Sequence, residues 1–120
     1  MSLEFRCVSW SDDVREGLER TFNGCELEFR EGVESGRLQC WRVGEDSYAI
    51  TESTEHGQVL QVWAYQGREV KQFAAALCQA ARRAHFERVR FHTERPALAR
   101  MLALLAPVDE GEGNYSVRVN

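Results

Sequence analysis

The sequence predicts an α+β domain, a mixed and mostly antiparallel sheet of about six strands with about four helices. Three observations carry this reading. Between Arg37 and Tyr65 the apolar residues recur with a period of two and are broken twice by short turn-forming stretches, so successive strands run antiparallel. Val70, Phe73, Ala74, Leu77, Cys78, Ala81 and Ala84 then recur at the i, i+3, i+4, i+7 spacing of one buried helical face. Val89, Phe91 and Thr93 return to a period of two. A strand reached through a helix runs parallel to the strand before it.

The remaining elements follow in order. Leu3, Phe5 and Cys7 alternate with Glu4, Arg6 and Val8, as in a half-buried first strand. Ser9 or Ser11 can cap a helix whose first turn holds Asp12 and Asp13, where negative charge is favoured. Val14, Leu18 and Phe22 form its apolar stripe, and Asn23-Gly24 closes it. Residues Glu26 to Ser35 fit a strand through Leu27 and Phe29 or a helix through Phe29 and Val33. Gly36, placed as a helix stop, favours a short helix. Gly44-Glu45-Asp46 and Glu55-His56-Gly57 are the two turns of the three-strand meander, with Tyr48 to Thr51 as its middle strand. Pro96 suits the first turn of a further helix bearing Leu98, Met101, Leu102 and Leu105, which Pro107 ends. Asp109 to Asn114 reads as an acidic loop before a last strand at Tyr115, Val117 and Val119.

The chain has 120 residues, enough for a single domain that buries roughly two thirds of its unfolded surface. An apolar share of 43% and a charged share of 28% are those of an ordinary soluble protein. A net charge of -4 provides no basic footprint for nucleic acid. No run is long enough for a membrane span, and the first residues lack the apolar core of a secretory signal. The expected compartment is therefore cytoplasmic. Cys7, Cys25, Cys40 and Cys78 are scattered without a C-x-x-C pair, so they read as reduced, mostly buried thiols with neither zinc nor disulfide spacing.

The stretch from Gln58 to Phe86 organises the chemistry. A strand from Val59 to Tyr65 turns at Gln66-Gly67-Arg68 into a long helix from about Glu69 to His85. The first amides of a helix are unpaired and sit at the positive end of its dipole, which makes this turn ready for phosphate or carboxylate. Arg82, Arg83, Arg88 and Arg90 cluster around the other end of the helix, where cations complement the dipole. Glu94 and Arg95 can pair or cap locally before Pro96. No serine sits in a nucleophile-elbow context, and no cysteine has a recognisably placed histidine.

The order strand, two helices, three antiparallel strands, long helix, strand, helix, strand resembles the GNAT superfamily of N-acetyltransferases over the whole chain. The resemblance implies acetyl-CoA or another acyl-CoA as cofactor, its pantetheine arm between the fourth and fifth strands. It also implies that the turn into the long helix holds the pyrophosphate through a Q/R-x-x-G-x-G/A pattern. The matching residues are Gln66, Gly67, Arg68, Glu69, Val70 and Lys71, preceded on the strand by Trp63 and Tyr65, which read as core or sheet residues before they read as ligand contacts. Glu69 and Lys71 depart from the family pattern, which has small residues there. Glu69 also reads as a first-turn acid stabilising its own helix by about 0.3–1 kcal/mol.

Acetyl transfer to an amine needs a base for the ammonium and an acid for the departing thiolate. Family members often supply a glutamate on the fourth strand and a tyrosine on the helix after the fifth, whereas Gln58 to Tyr65 holds no carboxylate and Pro96 to Ala106 no tyrosine. The substitutes are His92 on the fifth strand, Glu52 at the end of the third, and Tyr115, with His56 and Tyr65 behind them. The stretches Gly36-Arg37-Leu38-Gln39-Cys40-Trp41, Tyr48-Ala49-Ile50-Thr51-Glu52 and Thr93-Glu94-Arg95-Pro96 are also similar to small GNAT-like proteins of tailed phages and prophages. Two readings stand. One is an acyl-CoA-dependent N-acyltransferase acting on an amine. The other is a non-catalytic module of this fold that binds a protein partner, a second copy of itself or a phage particle.

Overall fold

A computed structural model of the chain describes residues 3–93, 100 and 102–120. Seven strands, β1 (Phe5–Val8), β2 (Gln39–Val43), β3 (Ser47–Thr54), β4 (Val59–Gln66), β5 (Arg88–His92), β6 (Val108–Gly111) and β7 (Asn114–Arg118), form one sheet in the order β1-β2-β3-β4-β5-β7-β6. The α-helices among the described residues are α1 (Asp12–Leu18), α2 (Glu26–Ser35) and α3 (Val70–Arg83). Two compact units share these elements, Met1–Glu52 with Trp63–Arg68 and Ser53–Val62 with Glu69–Asn120.

In the first unit β1 pairs antiparallel with β2, from Phe5 opposite Val43 to Val8 opposite Cys40. β2 pairs antiparallel with β3, from Gln39 opposite Thr51 to Val43 opposite Ser47. Ser11 caps α1, its Oγ accepting from the Val14 amide at 3.3 Å. Val14, Leu18 and Phe22 are all buried and pack with Leu38, Cys40, Ile50 and Ala64. Trp10, Phe22 and Phe29 form a tilted aromatic run with centroids 5.8 and 5.9 Å apart. Gly36 ends α2 in the left-handed region at φ 84, and its amide bonds the Val33 carbonyl at 3.2 Å. Only glycine adopts that conformation without steric cost, so the stop signal decided the ambiguous stretch in favour of helix.

In the second unit β4 and β5 are parallel, with Val59 opposite Arg88 and Val62 opposite Phe91. α3 connects them and buries Phe73, Ala74, Leu77, Cys78 and Ala81. β7 pairs antiparallel with β5, from Arg88 opposite Arg118 to His92 opposite Asn114. β6 pairs antiparallel with β7 through a bulge between Asp109 and Gly111.

Several expectations need correction. Among the described residues the sheet has seven strands rather than about six, because Val108–Gly111 is a strand and not part of an acidic loop. All four of its residues are exposed, so it carries no alternation of buried and solvated positions to read. The helix expected from Pro96 lies largely outside the described residues. Of its apolar stripe, Leu102 is buried, and Ala103–Leu105 forms a 3₁₀ turn. The pairing of Glu94 with Arg95 also lies outside them. α3 begins at Val70 and ends at Arg83, and Ala84, assigned to its buried face, is exposed beyond the helix. Of the four cysteines, Cys40 and Cys78 are buried, whereas Cys7 and Cys25 are exposed.

Candidate anion-binding turn and proton-transfer groups

The chain leaves β4 through a tightly held turn. The Tyr65 hydroxyl donates to the Arg68 carbonyl, closing the turn on itself. Gln66 Oε1 accepts from the Arg20 amide at 2.8 Å, which ties the turn to the segment after α1. A Cβ on Gly67 would lie 2.0 Å from Ser47 Oγ, so the close approach of the turn to β3 requires glycine. Glu69 then takes the left-handed conformation, φ 56 and ψ 55, as the N-cap of α3. This corrects its reading as a first-turn acid: it stands one position before the helix, and its carboxylate makes no capping hydrogen bond. Its carbonyl accepts from the Phe73 amide at 3.0 Å, the first bond of the helix. Arg68, Glu69 and Lys71 are exposed, and Val70 is half-buried.

The proposed proton-transfer groups fall in separate neighbourhoods. Glu52, at the end of the first unit's part of β3, accepts from Trp63 Nε1 at 2.9 Å through Oε1. Its Oε2 lies 3.5 Å from an Arg37 guanidinium nitrogen. Trp63, although 42% exposed, therefore serves as a hydrogen-bond donor that orients a carboxylate, beyond its place in the sheet.

In the second unit His92 is exposed, and its Nδ1 lies 3.2 Å from Asn114 Oδ1. An amide oxygen only accepts, so this contact suits the tautomer with its proton on Nδ1, in which Nε2 is free to accept. Tyr115 is opposite Phe91, one register position from the His92–Asn114 pair. Side chains alternate faces along a strand, so Tyr115 and His92 project from opposite faces and do not form an acid/base pair. His56 sits in the turn before β4 in the left-handed region, φ 58, and is exposed.

Sequence reasoning missed the partners rather than the groups. Arg20 for Gln66, Arg37 for Glu52 and Asn114 for His92 are each brought in by pairing across the fold, and no local spacing announces them. The basic cluster also resolves unevenly. Arg82 and Arg83 are exposed in the last turn of α3, while Arg90 is bridged by Glu55 at 3.2 Å and Glu110 at 3.4 Å. Glu110 is held below its ordinary carboxylate value, first by a hydrogen bond from Ser116, against the opposing cost of burial, and then by the charge and hydrogen bond of Arg90 and the charge of Arg88. Burial pushes the Cys40 thiol up to about 12, with Cys7 adding to it, and the Cys78 thiol up to about 11. No metal-ligating cluster occurs among the described residues. No helix among them is long and apolar enough to cross a membrane. A cleft of about 580 Å³ in the first unit is lined by Cys7, Val8, Trp10, Val33, Leu38 and Cys40 among others, and by none of the anion-binding or proton-transfer candidates.

No family model matches the chain, and no curated protein matches it. Solved structures do. An acetyltransferase from Bacillus subtilis in complex with CoA matches with a TM-score of 0.73 at 10% identity, over 99% of this chain and 100% of that one. An N-acetyltransferase from Staphylococcus aureus Mu50 matches at 0.66 and 11% identity over 100% of both chains. A mutant of the toxin AtaT, bound to the C-terminus of the antitoxin AtaR and acetyl-CoA, matches at 0.61 and 12% identity, over 99% of this chain and 94% of that one. At these identities the likeness establishes the fold, which is that of the GNAT-family acetyltransferases.

Proposed function

We propose that this chain is an acyl-CoA-dependent N-acyltransferase that holds the cofactor's pyrophosphate at the Gln66–Lys71 turn. The observation that carries this reading is the backbone of Glu69. The family pattern places glycine at this position, and Glu69 adopts the left-handed conformation that glycine favours, φ 56. The backbone that starts the helix takes a form that a glycine at this position would adopt freely. The donor set fits a diphosphate: helix-initiating amides without a side-chain cap, and Arg68 and Lys71 on either side of Glu69. Acyl-CoA, when bound, supplies a thioester carbonyl. His92 Nε2 would take the proton from the attacking amine as its nitrogen bonds the thioester carbonyl carbon, with Asn114 fixing the ring, and would return it to the CoA thiolate as the C–S bond breaks. Support from the fold comes through the solved acetyltransferases, one of them in complex with CoA.

A second reading is favoured by the internal commitments of the polar groups. Glu52 is tied to Arg37 and Trp63, and Gln66 to Arg20, as structural side chains would be. A protein-binding module of this fold fits those commitments, and the solved AtaT complex includes a protein segment as well as acetyl-CoA.

Thermal-shift titration with acetyl-CoA separates the two. A ligand at a hundred times its dissociation constant stabilises the folded chain by about 2.7 kcal/mol. The acyltransferase reading requires a saturable shift that Lys71→Glu weakens, with His92→Ala lowering turnover more than affinity. No shift at millimolar acetyl-CoA rejects it and leaves the partner-binding module.

A further inference from the structure

The register of β5 against β7 sets Arg88 directly opposite Arg118. Opposed residues of an antiparallel pair project from the same face, so two guanidinium groups share one row. The next row on that face sets Arg90 opposite Ser116. Like charges set directly across a strand pair destabilise it. Arg90 has its compensation: Glu55 and Glu110 bridge it, and Gln61 Oε1 lies 3.5 Å away. Both carboxylates are thereby engaged, Glu110 further by Ser116, and its charge reaches Arg88 only beyond ion-pair distance.

Arg88 and Arg118 have no ion-pair partner among the described residues. Arg118 Nε donates to the Asn120 carbonyl at 3.0 Å. Arg88 Nε is buried and has no hydrogen-bond partner among the described residues. A buried donor left unpaired keeps its full desolvation cost, so this row carries two penalties that one missing group would remove together. An oxyanion is that group: guanidinium forks match phosphate geometry, and charge-assisted bonds are the strong ones. A phosphate dianion balances both charges and has oxygens enough for both forks and the buried Nε–H. A monovalent carboxylate leaves one charge over.

We propose that Arg88 and Arg118 form an anion site for the phosphate group of a small molecule, at the start of β5 and the end of β7. The site uses none of the residues of the Gln66–Lys71 turn.

The test is a titration of the whole chain with inorganic phosphate at constant ionic strength, following the arginine Nε–H signals by ¹⁵N–¹H NMR. The expected result is a saturable shift of the Arg88 Nε–H signal, with phosphate affinity about tenfold or more weaker in Arg118→Gln. Lys71→Glu should leave the shift intact, and acetate should give a much weaker response. Arg118 is exposed, so Arg118→Gln carries the test even if Arg88→Gln fails to fold. The site is overturned by a shift that does not saturate, by equal responses to acetate and phosphate, or by an unchanged affinity in Arg118→Gln. Loss of the shift in Lys71→Glu also overturns it, since the anion would then sit at the head of α3.

Discussion

Gly67 and Ser47 touch so closely that a single methyl group cannot enter between them. A Cβ on Gly67 would lie 2.0 Å from Ser47 Oγ, 2.3 Å from its Cβ and 3.1 Å from its Cα, and Ser47 is buried. Gly67→Ala must therefore move the turn or β3, at about 1–3 kcal/mol for an overpacked site. Urea unfolding reads the cost. Adding Ser47→Gly should recover part of it and no more, because the backbone of residue 47 still crowds the new methyl group. Strictly additive losses would show that this crowding is not the cause.

Glu69→Gly should act in the opposite direction. A left-handed backbone costs a non-glycine residue about 1–2 kcal/mol, and glycine's added entropy returns about half of the gain. The expected net is about 0.5–1 kcal/mol of added stability, together with tighter acetyl-CoA binding as the carboxylate leaves the turn proposed to hold the pyrophosphate. Glu69→Ala separates the causes, since it removes the charge and keeps the strain. If both variants match the parent chain in stability and affinity, neither the strain nor the charge matters.

The Glu110 interactions make an acid-sensitive contribution. The folded value lies below the ordinary 4.5, so the stabilisation is complete above that pH and is lost as pH falls through the lowered value. Stability measured from about pH 6 downwards should fall less steeply in Glu110→Gln. High salt should reduce the effect only in part, because the largest cause is the Ser116 hydrogen bond and not an ionic attraction. A parallel pair of pH profiles would remove Glu110 from the account.

The thiols divide by exposure. Iodoacetamide at about pH 8 reacts with thiolate, and Cys40 and Cys78, raised to about 12 and about 11, have almost none. The folded chain should gain adducts at exposed Cys7 and Cys25, and at the buried pair only after denaturation. Rapid labelling of all four in the native state would show that the two core positions open readily.

What could be read ahead of the structure followed from periodicity and punctuation. The stripe of α3, the Ser11 cap, the Gly36 stop and the parallel β4–β5 pair each rest on a local pattern with a physical cause. β6 was illegible because an exposed strand without a buried face has no period. Ala84 was misplaced because the helical repeat continues one residue past the last helical one. The candidate site, still a proposal, divides the same way. Gln66, Glu69, Lys71 and His92 could be singled out by type and position, whereas the bonds from Arg20, Arg37 and Asn114 depend on register and packing between distant segments. Whether a carboxamide faces a ligand or a neighbouring amide is decided there.

β6 stands last in the strand order, with Asp109 and Glu110 on a bulged stretch of four residues. An outermost strand normally offers its free amides and carbonyls as a template for a strange chain. Here the repulsion between acidic neighbours and the kink in the ladder make such templating unfavourable, so this margin protects the molecule against fibril growth even though Val108 lies open to water.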